Sequence, residues 1–164
     1  MSGQSIFRFK QFQLTQYEHH LKVTTEASIF GAWINAERKS QILDIGSGTG
    51  LLSLMLAQKS KAFISAVEIQ REMAQLCQYN FRCSPWNKRL NCIPKSIQEY
   101  ETDIKYDLVV CNPPFFFSQS QGKSKEKSTA MHNKDLSLQD LLKALDKLLL
   151  PEGSFYVLFP PETL

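Results

Sequence analysis

The stretch Leu43-Asp44-Ile45-Gly46-Ser47-Gly48-Thr49-Gly50 carries an apolar strand into three alternating glycines and then directly into the leucine-rich segment that starts at Leu51. Glycines at 46, 48 and 50 leave the backbone without Cβ atoms, so its N–H groups and the chain itself can come close to a ligand at the carboxyl end of the strand. The dinucleotide-binding spacing is Gly-x-Gly-x-x-Gly. Here the third glycine arrives one residue early, and Asp44 stands two residues before the first.

On either side of this turn, apolar runs alternate with segments of helical period, the pattern of a parallel sheet covered by helices. Strands are expected at 41–45, 62–67, 90–93, 107–111 and 154–159. Crossover helices are expected at 51–59 and 70–81, the second with Met73, Leu76, Cys77 and Phe81 on one face and Ser84-Pro85 as its stop. A third helix over 138–150 is expected to present Leu138, Leu141, Leu142, Leu145, Leu148 and Leu149 as one stripe, with Ser137 and Asp140 capping its start. The fold class is therefore α/β with a Rossmann-like parallel sheet flanked by helices. Residues 1–40 form an N-terminal extension, with Phe7 and Phe9 alternating as a short strand and a helix at 26–36 that puts Ile29, Phe30, Trp33 and Ile34 on one side. The extension is expected to pack on the cofactor side of the core at 41–164. Residues 118–134 are polar, carry Lys123, Lys125, Lys127 and Lys134, and read as a loop.

Bulk properties bound the possibilities without choosing among them. With 164 residues, 43% of them apolar, the chain can bury one core. A net charge of +3 permits a nucleic-acid partner but does not argue for one alone. The four cysteines, Cys77, Cys83, Cys92 and Cys111, include no Cys-x-x-Cys pair, and the histidines lack metal-ligand spacing, so no metal is expected. No apolar run approaches the ~20 residues that span a bilayer. A soluble, cytoplasmic monomer is the expectation.

The glycine turn with its preceding Asp44 resembles the S-adenosylmethionine turn of class I methyltransferases. The resemblance implies that Asp44 orients the cofactor's ammonium group, that Gly46, Gly48 and Gly50 line its approach, and that Glu68, ending the second strand, accepts from both ribose hydroxyls. It also places the adenine ring near Ser96 and Ile97, where related enzymes usually offer an Asp in place of Ser96. The competing readings are ordinary ones: Asp44 as a cap of the following turn, Glu68 as a solvated strand end.

Asn112-Pro113-Pro114-Phe115 supplies the chemistry. The amino group of adenine is a poor nucleophile because its lone pair is delocalised into the ring. Two acceptors aimed at its N–H groups favour a more electron-rich nitrogen, which is what the transition state requires. The Asn112 side-chain oxygen can be one such acceptor and the Pro113 carbonyl the other. Pro113 and Pro114 fix their φ angles and hold the acceptors in place, and Phe115 can stack on the base. The competing reading is a stiff turn after a buried strand.

Over nearly its whole length the chain resembles the bacterial tRNA1(Val) adenine-37 N6-methyltransferases. The likeness runs from Phe7-Arg8-Phe9-Lys10-Gln11-Phe12 through Lys22-Val23-Thr24-Thr25-Glu26 and Gly31-Ala32-Trp33 to the glycine turn, Ser84-Pro85-Trp86 and Asn112 to Phe115. The resemblance implies methylation of the adenine just 3′ to a tRNA anticodon, with Lys22 and Thr25 at the cofactor's methionine end. N-capping of the following helix is an alternative role for Thr25. Thr24 stands where the family has glycine and Glu26 where it has Asp. The chain is also expected to lack the antiparallel strands six and seven of this fold. The flanking phosphates of the RNA are expected to meet Arg8, Lys10 and the lysines of 118–134. Asn-Pro-Pro also resembles the motif of glutamine N5-methyltransferases and of DNA adenine methyltransferases. A tRNA-binding module without turnover is the alternative of another class.

Overall fold

The computed structural model describes residues 3–17, 22–112 and 136–159. Five parallel strands, β3 (Gln41–Ile45), β4 (Phe63–Val67), β5 (Leu90–Ile93), β6 (Tyr106–Cys111) and β7 (Leu149–Val157), form a sheet in the order β5-β4-β3-β6-β7. The helix α2 (Leu51–Lys59) joins β3 to β4, α3 (Arg71–Arg82) joins β4 to β5, and α4 (Leu138–Leu148) leads into β7. Ahead of them lie a separate antiparallel hairpin, β1 (Gln4–Arg8) with β2 (Gln13–Tyr17), and the helix α1 (Thr25–Trp33).

The two-residue period of the strands divides the core into two layers. Ile42, Ile64, Ala66, Leu108 and Val110 face α1, α2, α3 and the hairpin residues Phe12 and Leu14. Leu43, Ile45, Val67, Val109 and Cys111 face Ile97, Tyr100 and the buried side of α4. Alternation from Ile42 therefore turns Asp44 toward the α2 layer. The N-terminal residues are bound into this layer by specific polar contacts as well as by apolar burial. Lys59 at the end of α2 donates to the carbonyls of Gly31 (2.7 Å), Ala32 (3.0 Å) and Ile34, closing the carboxyl end of α1. Phe9 stacks on Phe12 with ring centroids 4.4 Å apart, and Phe12 meets Trp86 edge-on.

Three expected features come out differently. In the hairpin, β2 is added and Phe9 lies in the turn, its N–H donating to Phe12 O at 2.9 Å. Gln13-Leu14-Thr15-Gln16-Tyr17 has no apolar alternation to announce a strand, since most of it is held by polar contacts. The helix expected at 26–36 ends at Trp33, with Ile34 as its cap; Phe30 and Ile34 are buried, but Ile29 and Trp33 are 64% and 73% exposed. On α4, the buried stripe is Leu141, Ala144, Leu145 and Leu148, while Leu138 and Leu142 lie outside it and are exposed. That helix stops two residues early because Leu149 pairs with Tyr106 on β6, so the strand expected at 154–159 runs instead over Leu149–Val157. Its expected start stands: Ser137 Oγ accepts from Asp140 N at 3.1 Å.

Gly50 joins the turn to the core. Its φ is +85°, and a Cβ there would lie 2.7 Å from Phe81 Cε1 and 2.9 Å from Cys77 Sγ. Both rotamer strain in α3 and left-handed backbone strain oppose a side chain at this point. Gly50→Ala is expected to destabilise the fold by about 2–4 kcal/mol. Urea unfolding checks this, and a loss no larger than that of Gly48→Ala, whose Cβ would meet nothing within 4 Å, would contradict it.

Candidate functional site

Outward from β3 the chain runs to β4 on one side and to β6 on the other, and an open sheet of this kind forms a crevice at its strand carboxyl ends where the order reverses. The register pairs Ile45 with Val67 and with Cys111. Glu68 and Asn112 are the next residues on β4 and β6, so they flank Gly46. Three adjacent strands thus deliver Asp44, Glu68 and Asn112 to one edge.

Backbone bonds shape the glycine turn between them. Gly46 N (2.8 Å) and Ser47 N (3.2 Å) both donate to Val67 O, and Gly50 N donates to Ser47 O at 2.8 Å. Gly46 and Gly48 have φ of +71° and +54°, and a Cβ on either would meet nothing within 4 Å. Bare left-handed backbone therefore faces open space here, which is a cradle for a ligand. Gly48 N donates to Glu68 Oε2 and Gln70 N to Glu68 Oε1, both at 2.8 Å. The Glu68 carboxylate is buried and clamped, yet each oxygen keeps a lone pair for a further donor.

Asp44 is 1% exposed. Its Oδ2 accepts from Ser53 N at 3.2 Å and Ser53 Oγ at 2.7 Å, whereas Oδ1 accepts no bond from the described residues. Burial pushes this carboxyl up from 3.8 to about 6; the Ser53 bonds oppose the rise and the charge of Glu68 adds to it. A half-satisfied buried carboxylate beside a clamped one and an open backbone cradle suits a ligand that brings a cation and a pair of hydroxyls.

The other expected site residues are placed less closely around this crevice. Ser96 follows β5, where its hydroxyl accepts from Glu99 N at 3.3 Å and starts the turn at Ile97–Glu99. Ile97 is buried in the layer beneath α4. Lys22 and Thr25 are exposed on the segment that enters α1. Capping of that helix falls to Thr24, whose Oγ1 accepts from Ala27 N at 3.1 Å, because Thr24 keeps the extended backbone a cap requires. Thr25 is already the first helical residue. Pro113, Pro114, Phe115 and the lysine-bearing residues 118–134 lie outside the described residues. Ser53 and Asn80, both bonded to this region, were not anticipated. Their signal was available: each is a lone polar residue in a helix face otherwise built of apolar side chains.

Comparison with known proteins bears on the family and the fold. Residues 20–158 match the family described as the methyltransferase small domain. A tRNA1(Val) (adenine(37)-N6)-methyltransferase of Dyadobacter fermentans is 44% identical over 155 residues, covering 94% of this chain and 65% of that protein. A Bacteroides fragilis protein of the same name is 39% identical, covering 96% of this chain and 68% of its own length. The chain thus spans about two thirds of the length of these relatives. Among solved structures, an S-adenosylmethionine-dependent methyltransferase of Thiobacillus denitrificans in complex with S-adenosyl-L-homocysteine superposes with a TM-score of 0.62 at 16% identity, covering 85% of this chain and 51% of that one. For an RNA methyltransferase of Pyrococcus horikoshii, itself of inferred function, the TM-score is 0.58 at 19% identity, with 83% and 59% covered. These two likenesses concern the fold.

The raised Asp44 carboxyl makes stability depend on pH in a defined direction. The folded chain holds this proton more tightly than the unfolded chain. The contribution is therefore fully present below about pH 4 and is lost as pH rises through about 6. Asp44→Asn, whose side-chain oxygen can still accept from Ser53, is expected to stabilise the ligand-free fold at about pH 8 by as much as about 3 kcal/mol. Its advantage should shrink as pH falls toward about 4. Denaturant midpoints across this range check both points, and a variant no more stable than wild type at the alkaline end would contradict the cost assigned to the buried charge.

Proposed function

The chain belongs to the methyltransferase small domain family and, within it, to the tRNA1(Val) (adenine(37)-N6)-methyltransferases; from that premise we propose that it transfers a methyl group from S-adenosylmethionine to the N6 nitrogen of an adenine in tRNA, with adenine 37 of tRNA1(Val) as the target. One observation carries the reading: the register of β3, β4 and β6 puts Asn112 and Glu68 on the two sides of an open glycine turn that begins next to a buried Asp44.

Bound in this crevice, S-adenosylmethionine supplies an electrophilic methyl group. The residues of the chain bind and orient. Asp44 takes the ammonium group at its free Oδ1, Glu68 accepts from the ribose hydroxyls with the lone pairs left by Gly48 and Gln70, and Gly46 to Gly50 admit the ligand against bare backbone. Ser96 and Ile97 lie toward the adenine ring, and Lys22 and Thr25 close over the methionine end. On the substrate side, the Asn112 side-chain oxygen and the Pro113 carbonyl accept from the two N–H bonds of the target amine, and Phe115 stacks on the base. The methylated nitrogen is acidic enough to lose its proton to water, so the site needs no strong base. Arg8, Lys10 and the lysines at 123, 125 and 127 hold flanking phosphates. A tRNA substrate fits a cytoplasmic location. Among the described residues no helix is long and apolar enough to cross a membrane, and no group of three or more His, Cys, Asp or Glu could hold a metal ion.

Two substitutions separate the cofactor role from the substrate role. Glu68→Ala is expected to weaken S-adenosylmethionine binding by about 1.5–3 kcal/mol, because it removes a charged acceptor of two buried hydroxyls. Calorimetry showing unchanged affinity would remove Glu68 from the site. Asn112→Ala is expected to leave that affinity nearly intact while lowering the single-turnover rate of methyl transfer to tRNA by roughly two to three orders of magnitude. Asn112→Asp should be milder, since a carboxylate still accepts from the amine. A wild-type rate in Asn112→Ala would end the assignment of Asn112 to the reacting amine. Nucleoside mass spectrometry of tRNA from a deletion strain tests the whole proposal through loss of N6-methyladenosine.

A further inference from the structure

Two buried amide side chains tie down backbone near the site: one is bonded to the glycine turn, the other to the segment that enters α1. Asn80 sits in the apolar stripe of α3, beside Cys77 and Phe81, and is 1% exposed. Its Oδ1 accepts from Thr15 N at 2.9 Å, and its Nδ2 donates to Thr15 O at 3.0 Å and to Thr49 O at 2.9 Å. Both amide hydrogens and the oxygen are thereby used. Thr49 lies between Gly48 and Gly50, so the turn is gripped at Gly48 by the Glu68 carboxylate and at Thr49 by the Asn80 amide. Gln16, the residue after Thr15 on β2, is also buried. Its Oε1 accepts from Val23 N at 3.1 Å and its Nε2 donates to Ser5 Oγ at 3.2 Å. Val23 belongs to the segment Lys22 to Thr25 that leads into α1.

We propose that Asn80 and Gln16 are positioning residues for the cofactor site, and that β2 is the brace through which they act. Consecutive residues of one strand hold the two cofactor-facing segments: Thr15 through Asn80 to the glycine turn, and Gln16 directly to the backbone before α1. A leucine in the stripe position of Asn80 would add apolar burial and carry no desolvation cost. An amide there fixes the orientation of one peptide group, that of Thr49 and Gly50, which no apolar side chain can do. The inference rests on the proposed reading of the glycine turn as the S-adenosylmethionine site and of residues 22–25 as lying at its methionine end.

The test uses Asn80→Asp and Asn80→Leu, with S-adenosylmethionine affinity measured by calorimetry on folded protein and unfolding midpoints recorded alongside. Asn80→Asp keeps the acceptor for Thr15 N but sets a carboxylate against the carbonyl oxygens of Thr15 and Thr49. Binding should weaken roughly tenfold at about pH 8, equivalent to one unsatisfied buried polar group. Protonation of the introduced carboxyl restores a donor, so the ratio of variant to wild-type dissociation constant should fall as pH is lowered toward about 6. Asp44, Glu68 and Cys77 around the turn and Tyr17 on β2 are present in all the proteins compared, and Asn80→Leu, which introduces no charge, is the control for their contribution to the pH dependence. Asn80→Leu should be weakened without rescue by acid. Gln16 provides an independent pair: Gln16→Met should bind several-fold more weakly, whereas Gln16→Glu, which still accepts from Val23 N, should stay near wild type. If these variants bind S-adenosylmethionine as wild type does while only their unfolding midpoints drop, the amides are merely structural and the proposal is overturned. A wild-type chain that binds none overturns the reading of the site itself, and this inference with it.

Discussion

The bonds from Gly46 N and Ser47 N to the single carbonyl of Val67 decide how the chain leaves the central strand. They continue the β3–β4 ladder for one more step and then turn the backbone into the left-handed region, which only glycine enters without strain. Everything around the crevice follows from that exit. It brings Gly48 N to Glu68, presses the bare Cα of Gly50 onto Phe81 and Cys77, and starts α2 at a point where Ser53 meets Asp44. A side chain at Gly50 would collide with α3, whereas one at Gly46 or Gly48 would strain left-handed backbone and enter the open cradle. The turn therefore joins packing and ligand approach in one short piece of backbone.

That arrangement places an electrostatic cost at the site. Asp44 is carried into the core by the alternation of β3 and, among the described residues, is offered hydrogen bonds by Ser53 alone. In the free chain its ionised form is disfavoured, as its raised titration shows. A ligand cation at Oδ1 would relieve the burial penalty rather than merely add a contact, so the same group lowers the stability of the free fold and favours the bound one. Glu68 is held differently. Two backbone N–H groups already support its charge, so it is held in place before any ligand arrives and need not reorganise.

Much of this was legible in the sequence because it depends on local pattern. β3, α2 and β5 fall where their apolar periods and terminating residues place them, and the Ser137 cap of α4 is a side-chain signal readable in one line of sequence. What was not legible depends on partners distant along the chain. β2 has a single fully buried apolar side chain, Leu14, and is held by Asn80, 65 residues further on, through its Thr15 backbone. No periodicity in Gln13 to Tyr17 can report such a partner. The exposed Ile29, Trp33, Leu138 and Leu142 show the converse limit: helical spacing marks a broad apolar face, but the width of the surface the helix packs on determines how much of it is covered.

The state of Ser96 bears on how the proposed cofactor would divide its binding energy. A carboxylate at that point would offer the adenine amine a charge-assisted acceptor. A hydroxyl already engaged as the cap of the Ile97–Glu99 turn offers a weaker, neutral one. On the proposed reading, affinity then shifts toward the ribose and the methionine end, the regions served by Glu68, Asp44 and the segment before α1. Those are also the regions braced from β2, through Asn80 on one side and Gln16 on the other. Weak recognition of the base thus raises the demand for exact placement of the remaining contacts. On that reading, a hairpin tied through Asn80 to the glycine turn and through Gln16 to the segment before α1 is a physical means of meeting that demand.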